Sequence, residues 1–298
     1  MLLDRLFEPS DSDMLYHYCS AATFQAIASY GTIRFTDINM LNDESEVRLA
    51  YSVFEEAATK LIKREGILPN APAMPKEFFD RVDSIVAPSQ LIAHPFIACF
   101  SLEPDMLGQW RSYADDGRGY AVGFKAQELQ DLLPATFLRV LYQRDQQVKE
   151  MMHALATIFL RQQSEDEIER AQFFEDCMLL SVYMTAFKHS AFEEEKEIRA
   201  VHAINLQQQG KLIKFVDAGG TVRGGSIPVP GDPVNFQIRD NHLTAYFDHQ
   251  FSVPGPDTPI KEIILGPKNY SASGNIELFL GGLGYVEMDL QVSGAPYR

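Results

Sequence analysis

Cysteine is scarce: Cys19, Cys99 and Cys177 are the only three in 298 residues. An odd, widely spaced set cannot build a disulfide framework or a CxxC metal site, and it fits reduced thiols in a cytosolic protein. Long apolar runs are missing too. The apolar stretch at about Cys177 to Phe187 falls well short of the roughly 18 residues a membrane span needs, so no membrane association is expected. Asp4 interrupts the opening MLLDRLFEPSDSD and no small-residue cleavage site follows, so no signal peptide is expected. Basic residues are outnumbered, 26 Lys+Arg against 41 Asp+Glu, for a net charge of −15. No Lys/Arg block relieves that balance, which argues against gripping nucleic acid through its phosphates; the charge is read as solubility.

Most chemical signatures are absent as well. The chain has no GxxxxGKS/T, HExxH or GxSxG, and the glycine clusters at Gly219–Gly225 and Gly281–Gly284 lack dinucleotide GxGxxG spacing and read as turns. His242 and His249, with Asp248 beside the second, are read as surface histidines, and no metal is expected.

What is present is an ordinary globular composition, 46% hydrophobic and 22% charged. Strand-like segments are expected at Met14–Tyr18, Thr32–Thr36, Phe96–Ser101, Tyr120–Phe124 and Phe137–Tyr142, then at Glu195–Ile204, Leu212–Val216, Leu243–Phe247, Ile260–Leu265 and Val286–Val292. Helices are expected at Ala21–Tyr30 between a Ser20 cap and a Gly31 stop, then at Asp43–Glu65, Lys76–Ile92, Met106–Tyr113 and Ile276–Leu280. Leu68–Pro75 and Gly219–Pro233 read as loops. Arg144–Phe187 holds neither Pro nor Gly and reads as two helices. Helices and strands do not alternate regularly, which disfavours a doubly wound parallel sheet. The expectation is a single α+β domain over 1–298, with a mixed, mainly antiparallel sheet and a helical insertion at 144–187.

Four segments stand out: Leu15–Ser20 with His17 inside an aromatic strand; Asn42-Asp43 with Glu46; Cys99-Phe100-Ser101 followed by Trp110, Tyr113 and Tyr120; and Glu193–Arg199. In the last, Glu195, Glu197 and Arg199 would share one strand face, where three charges need partners or a ligand if covered. The order of these segments, ending in Ile263–Pro267, resembles the bacterial family called domain of unknown function 2971 over about residues 14 to 268.

The layout also resembles, more distantly, that of the ADP-ribosyltransferases. That resemblance implies an ADP-ribosyltransferase-like sheet and NAD as substrate, with cleavage of the nicotinamide–ribose bond and transfer of ADP-ribose to an acceptor. It implies Glu197 as the catalytic carboxylate and Glu195 as its support. His17, Tyr18, Ser101 and either Tyr113 or Tyr120 would hold the NAD, with the histidine donating to a ribose hydroxyl or carboxamide oxygen. These residues would then converge on one pocket. The chemistry suits them: breaking the glycosidic bond builds an oxocarbenium-like cation that a carboxylate stabilises. The competing reading is a non-catalytic nucleotide-binding or interaction module of a bacterial defence or stress system, with an acidic patch at Glu165, Asp166, Glu167 and Glu169.

Overall fold

The computed structural model describes residues 6–40, 46–65, 73–162, 167–239 and 241–297. Strand β1 (Met14–Cys19) leads into helix α1 (Ala21–Tyr30). The Ser20 hydroxyl accepts from the Thr23 amide at 3.3 Å, and Gly31, in the left-handed region, returns its N–H to the Ile27 carbonyl; both ends of α1 are therefore capped as the sequence leads one to expect. A Cβ on Gly31 would sit 2.0 Å from the Ser252 carbonyl oxygen, a backbone atom. Gly31→Ala is expected to destabilise by roughly 1–3 kcal/mol, measurable as a lowered urea midpoint; an unchanged midpoint would show that the 252 segment yields freely.

The chain continues through β2 (Thr32–Asp37), α2 (Glu46–Ile62), α3 (Lys76–Val86), β3 (Ala93–Ser101), α4 (Leu107–Tyr113), β4 (Tyr120–Lys125), α5 (Ala126–Gln130) and β5 (Thr136–Arg139). Next come α6 (Arg144–Arg161), α7 (Glu167–Met184), a 3-10 turn (Ser190–Glu195), β6 (Glu197–Gln209), β7 (Leu212–Val216), β8 (Gly220–Val222), β9 (Ile227–Val229), β10 (Asn235–Arg239), β11 (His242–Gln250), β12 (Ile260–Leu265), α8 (Ser273–Gly282) and β13 (Asp289–Val292). Eleven strands form one mixed sheet in which β12 and β13 are parallel and every other pairing is antiparallel. The fold is α+β.

Several expectations are corrected. The helix read to Ile92 ends at Val86, because Pro88 cannot continue it, and β3 starts early at Ala93. The Gly219–Pro233 stretch, read as a loop, contains the small ribbon β8–β9. The strand read from Glu195 begins at Glu197: Glu195 lies in the 3-10 turn, and Lys196 at φ 43° turns the chain between them. His249 is buried, not a surface residue, and bonds Asp232 at 2.6 Å. Positions 42–43, most of the 68–75 loop and the acidic residues 165–166 fall outside the described residues, as do the side chains of 167 and 169.

One face of the sheet carries a phenylalanine-rich core (Phe35, Phe96, Phe124, Phe137, Phe247), which α1, α5 and α8 cover with Phe24, Leu129 and Leu280. On the other face, α6 and α7 pack with α2 and α3 in a separate apolar core, so the helical body is assembled from two stretches of chain. It is stitched to the sheet side by Leu141, whose N–H donates to Ala186 at 2.8 Å and whose carbonyl accepts from Lys188 at 3.1 Å.

The segment after β7 is pinned by His202. Its Nδ1 faces the Pro134 carbonyl at 2.6 Å and its Nε2 faces Asp217 at 2.8 Å. Two acceptors require two N–H donors, so the ring is an imidazolium. Burial opposes that charge, but the bonds to Asp217 and Pro134 outweigh it and raise the pKa. A raised histidine pKa contributes stability below the ordinary value near 6.5 that is lost as pH climbs through the folded value. Wild type should therefore lose more stability than His202→Gln between pH 6 and 9 in urea titrations; parallel curves would refute the linkage.

Candidate functional site

The site follows from a fork in the sheet. Strand β3 pairs with β6 along its whole length, from Ala93↔Asn205 to Ser101↔Glu197. Its other edge is shared: β2 takes Phe96 and Ile97, while β1 meets it at Tyr16↔Ser101. Between these contacts Ala98, Cys99 and Phe100 have no strand partner on that edge among the described residues. An unpaired backbone carbonyl inside a fold needs a donor, and His17 supplies it: its Nδ1 lies 2.9 Å from the Cys99 oxygen. That contact fixes the neutral tautomer with hydrogen on Nδ1, and burial pushes the pKa down. The free Nε2 is then an acceptor, so the donor role expected for His17 is corrected.

A cavity of about 150 Å³ opens at the fork, lined among others by His17, Arg34, Tyr113, Lys188, Glu195 and Glu197. Tyr16 lies opposite Ser101, and Ser101 opposite Glu197, so these three share a face. Alternation puts His17 on the other face, where its ring packs 5.8 Å from Phe100. His17 and Glu197 nonetheless line the same cavity, because the two strands have parted there.

Beneath the cavity lies a buried ion cluster. Lys188 donates to Glu195 at 2.5 Å and to Glu197 at 2.9 Å. Arg199 donates to Glu197 from Nε at 2.8 Å and from Nη2 at 3.2 Å. It also reaches Glu46 with both terminal nitrogens, at 2.7 and 2.9 Å, and the Thr185 carbonyl at 2.5 Å. The Arg199 side chain is 1% exposed and that of Lys188 6%. Three carboxylates facing two cations leave one excess negative charge.

Burial alone would raise the Glu197 pKa, but the Arg199 and Lys188 charges prevail and hold it at about 2. Burial likewise opposes the charges of Lys188 and Arg199, and the surrounding carboxylates override it and raise both. The Cys99 thiol is pushed well above its ordinary value by burial and by Glu197, so it stays protonated and is no nucleophile.

The backbone explains this placement. Gln147 donates from one amide to both the Leu141 and Lys188 carbonyls, at 2.6 and 2.8 Å, clamping the chain that presents Lys188. The Tyr142 hydroxyl accepts from the Glu197 amide at 2.9 Å. Ser101 donates to the Glu195 carbonyl at 2.8 Å and accepts from Glu103 N–H at 3.1 Å, tying the 3-10 turn to the end of β3.

Of the residues expected to hold a ligand, Tyr113 lines the cavity, its hydroxyl donating to Glu195 at 2.8 Å. Tyr18 lines the cavity, but its hydroxyl is taken up by the Glu103 carbonyl and the Met106 amide. The Ser101 hydroxyl is committed to the turn. Tyr120 is not part of the site: the register Cys19↔Tyr120 turns it to the other face, where its ring stacks on Phe24 at 4.2 Å. Lys188 escaped the sequence reading, and so did the pairing of Glu46 with Arg199. The signal for both was the charged face on β6, which demands partners once covered.

Among the described residues no group of His, Cys, Asp and Glu could hold a metal ion, and no helix is long and apolar enough to cross a membrane. A family model described as Protein of unknown function (DUF2971) matches residues 109–200. The matched stretch carries Tyr113, Lys188, Glu195, Glu197 and Arg199 and leaves out His17 and Glu46. No curated protein and no solved structure matches the chain.

Proposed function

We propose that the fork cavity binds NAD and cleaves its nicotinamide–ribose bond, passing ADP-ribose to an acceptor. The observation that supports this reading is that Tyr113, Glu195 and Glu197 line one cavity, which His17 reaches from the opposite face of the sheet and which Lys188, Arg199, Arg34 and Arg239 also line. A carboxylate there suits the oxocarbenium-like charge that grows as the bond breaks. The Tyr113 ring offers a stacking face, and His17 Nε2 can accept from a ribose hydroxyl or the carboxamide NH₂.

The two carboxylates differ in how far their charge is neutralised. Glu197 accepts from both Arg199 and Lys188, whereas Glu195 accepts from Lys188 and a neutral phenol. More of its field is left for a ligand, which favours Glu195 as the group facing the cation and Glu197 as the one that positions Lys188. The same saturation of Glu197 favours the second reading, a nucleotide-binding module without turnover. Incubation with NAD and mass-spectrometric detection of free nicotinamide decides between them. Release above the uncatalysed rate supports the transferase, binding without release supports the module, and neither refutes both.

A further inference from the structure

We propose that a second cavity, behind the ion cluster, is a binding site for a neutral, mainly apolar molecule of about two fused rings. It measures about 280 Å³ and lies between the helical body and the sheet. Ala50 and Tyr51 of α2 form one wall, Met184 of α7 a second and Ala203 of β6 a third. Its rim is the turn after α3, where Leu91 is 69% exposed. A dry apolar cavity of about 150 Å³ suffices to bind benzene; nearly twice that volume admits a naphthalene-sized ligand.

The chemistry of the ligand follows from the walls. Three of their polar side chains are already spent: the Tyr51 hydroxyl donates to Asp83, Ser181 to the Met178 carbonyl at 2.6 Å and Thr185 to the Val182 carbonyl at 2.6 Å. Glu46, which also lines this cavity, has both oxygens on Arg199. A charged ligand would shed its hydration and meet no unpaired opposite charge among the lining residues. Among the described residues the side chain of Gln90, near the rim, makes a long 3.4 Å contact with Asn39 and no other hydrogen bond, so one hydroxyl or carbonyl on the ligand has a place to bond. The inference is independent of the NAD reading, since the Glu46–Arg199 pair and Thr185 stand between this space and the fork.

The test is a fluorescence titration of the full chain with 2-naphthol, with 2-naphthalenesulfonate as the charged counterpart. One 2-naphthol per chain should bind saturably, and the sulfonate at least tenfold more weakly. Ala203→Phe, which fills the cavity from its exposed side, should weaken 2-naphthol at least tenfold, whereas Leu278→Phe, on the outer surface of α8, should not. Should Ala203→Phe fail to fold, ¹³C-methyl-methionine spectra of the wild type carry the test: the Met184 methyl, assigned with Met184→Leu, must shift on titration while Met288 stays. Unsaturable binding, equal affinity for the sulfonate, undiminished binding in folded Ala203→Phe or a stationary Met184 signal would overturn the proposal.

Discussion

Arg199→Met is expected to destabilise the protein by about 3–5 kcal/mol at neutral pH, the usual cost of breaking a buried ion pair from one side. The penalty should shrink as the solution is acidified. In the wild type, Glu197 titrates near 2 in the folded state instead of 4.5, a difference of about 3 kcal/mol. A depressed carboxylate pKa contributes stability that is complete above the unfolded value and disappears as pH falls through the folded one, so this contribution is lost between about pH 4.5 and 2. Without Arg199, the carboxylates of Glu46, Glu195 and Glu197 share Lys188 alone. Desolvation then raises the pKa of at least one of them, and the folded state gains protons, hence stability, on acidification. Urea unfolding of both proteins from pH 8 to 2 measures this. A difference that stays constant across that range would show that Arg199 acts through packing alone.

Glu195→Gln should slow nicotinamide release by about 10²–10³-fold, equivalent to about 3–4 kcal/mol of transition-state stabilisation, with little change in melting temperature. The amide keeps the shape, and its oxygen still accepts from Tyr113 or Lys188, whose contacts at 2.8 and 2.5 Å hold the side chain in the wild type. Glu197→Gln should lower the melting temperature markedly, because it removes the carboxylate that Arg199 and Lys188 share. The two measurements separate the roles. If Glu197→Gln abolishes release at an unchanged melting temperature while Glu195→Gln turns over NAD normally, the assignment is reversed. Full turnover by both variants would remove the carboxylates from the mechanism.

Much of the local structure was legible in the residues themselves. The Ser20 cap, the Gly31 stop, the helical spacing of α2 and the two long helices α6 and α7 all depend on neighbours within a few positions, where capping and periodicity act. Boundaries slipped where a turn intervened, as at Lys196, whose left-handed conformation takes Glu195 off the strand. The charged face of β6 was legible as a problem needing partners, but the partners were not. Arg199 meets Glu46 across 153 positions, and no short-range pattern ties the start of α2 to the middle of β6.

The choice between Tyr113 and Tyr120 has the same character. Both are tyrosines near the same segment, and only the register Cys19↔Tyr120 decides that the second faces Phe24 and the apolar core. His17 is the clearest case. Its place in an aromatic strand could be read from the chain, but its role is set by β1 and β2 dividing one edge of β3, which leaves the Cys99 carbonyl for it to satisfy. Helices and caps are encoded by residues a turn apart. The fork, the ion cluster and both cavities exist only because strands and helices far apart in sequence compete for the same edges and faces, and that competition is settled by packing the whole chain at once.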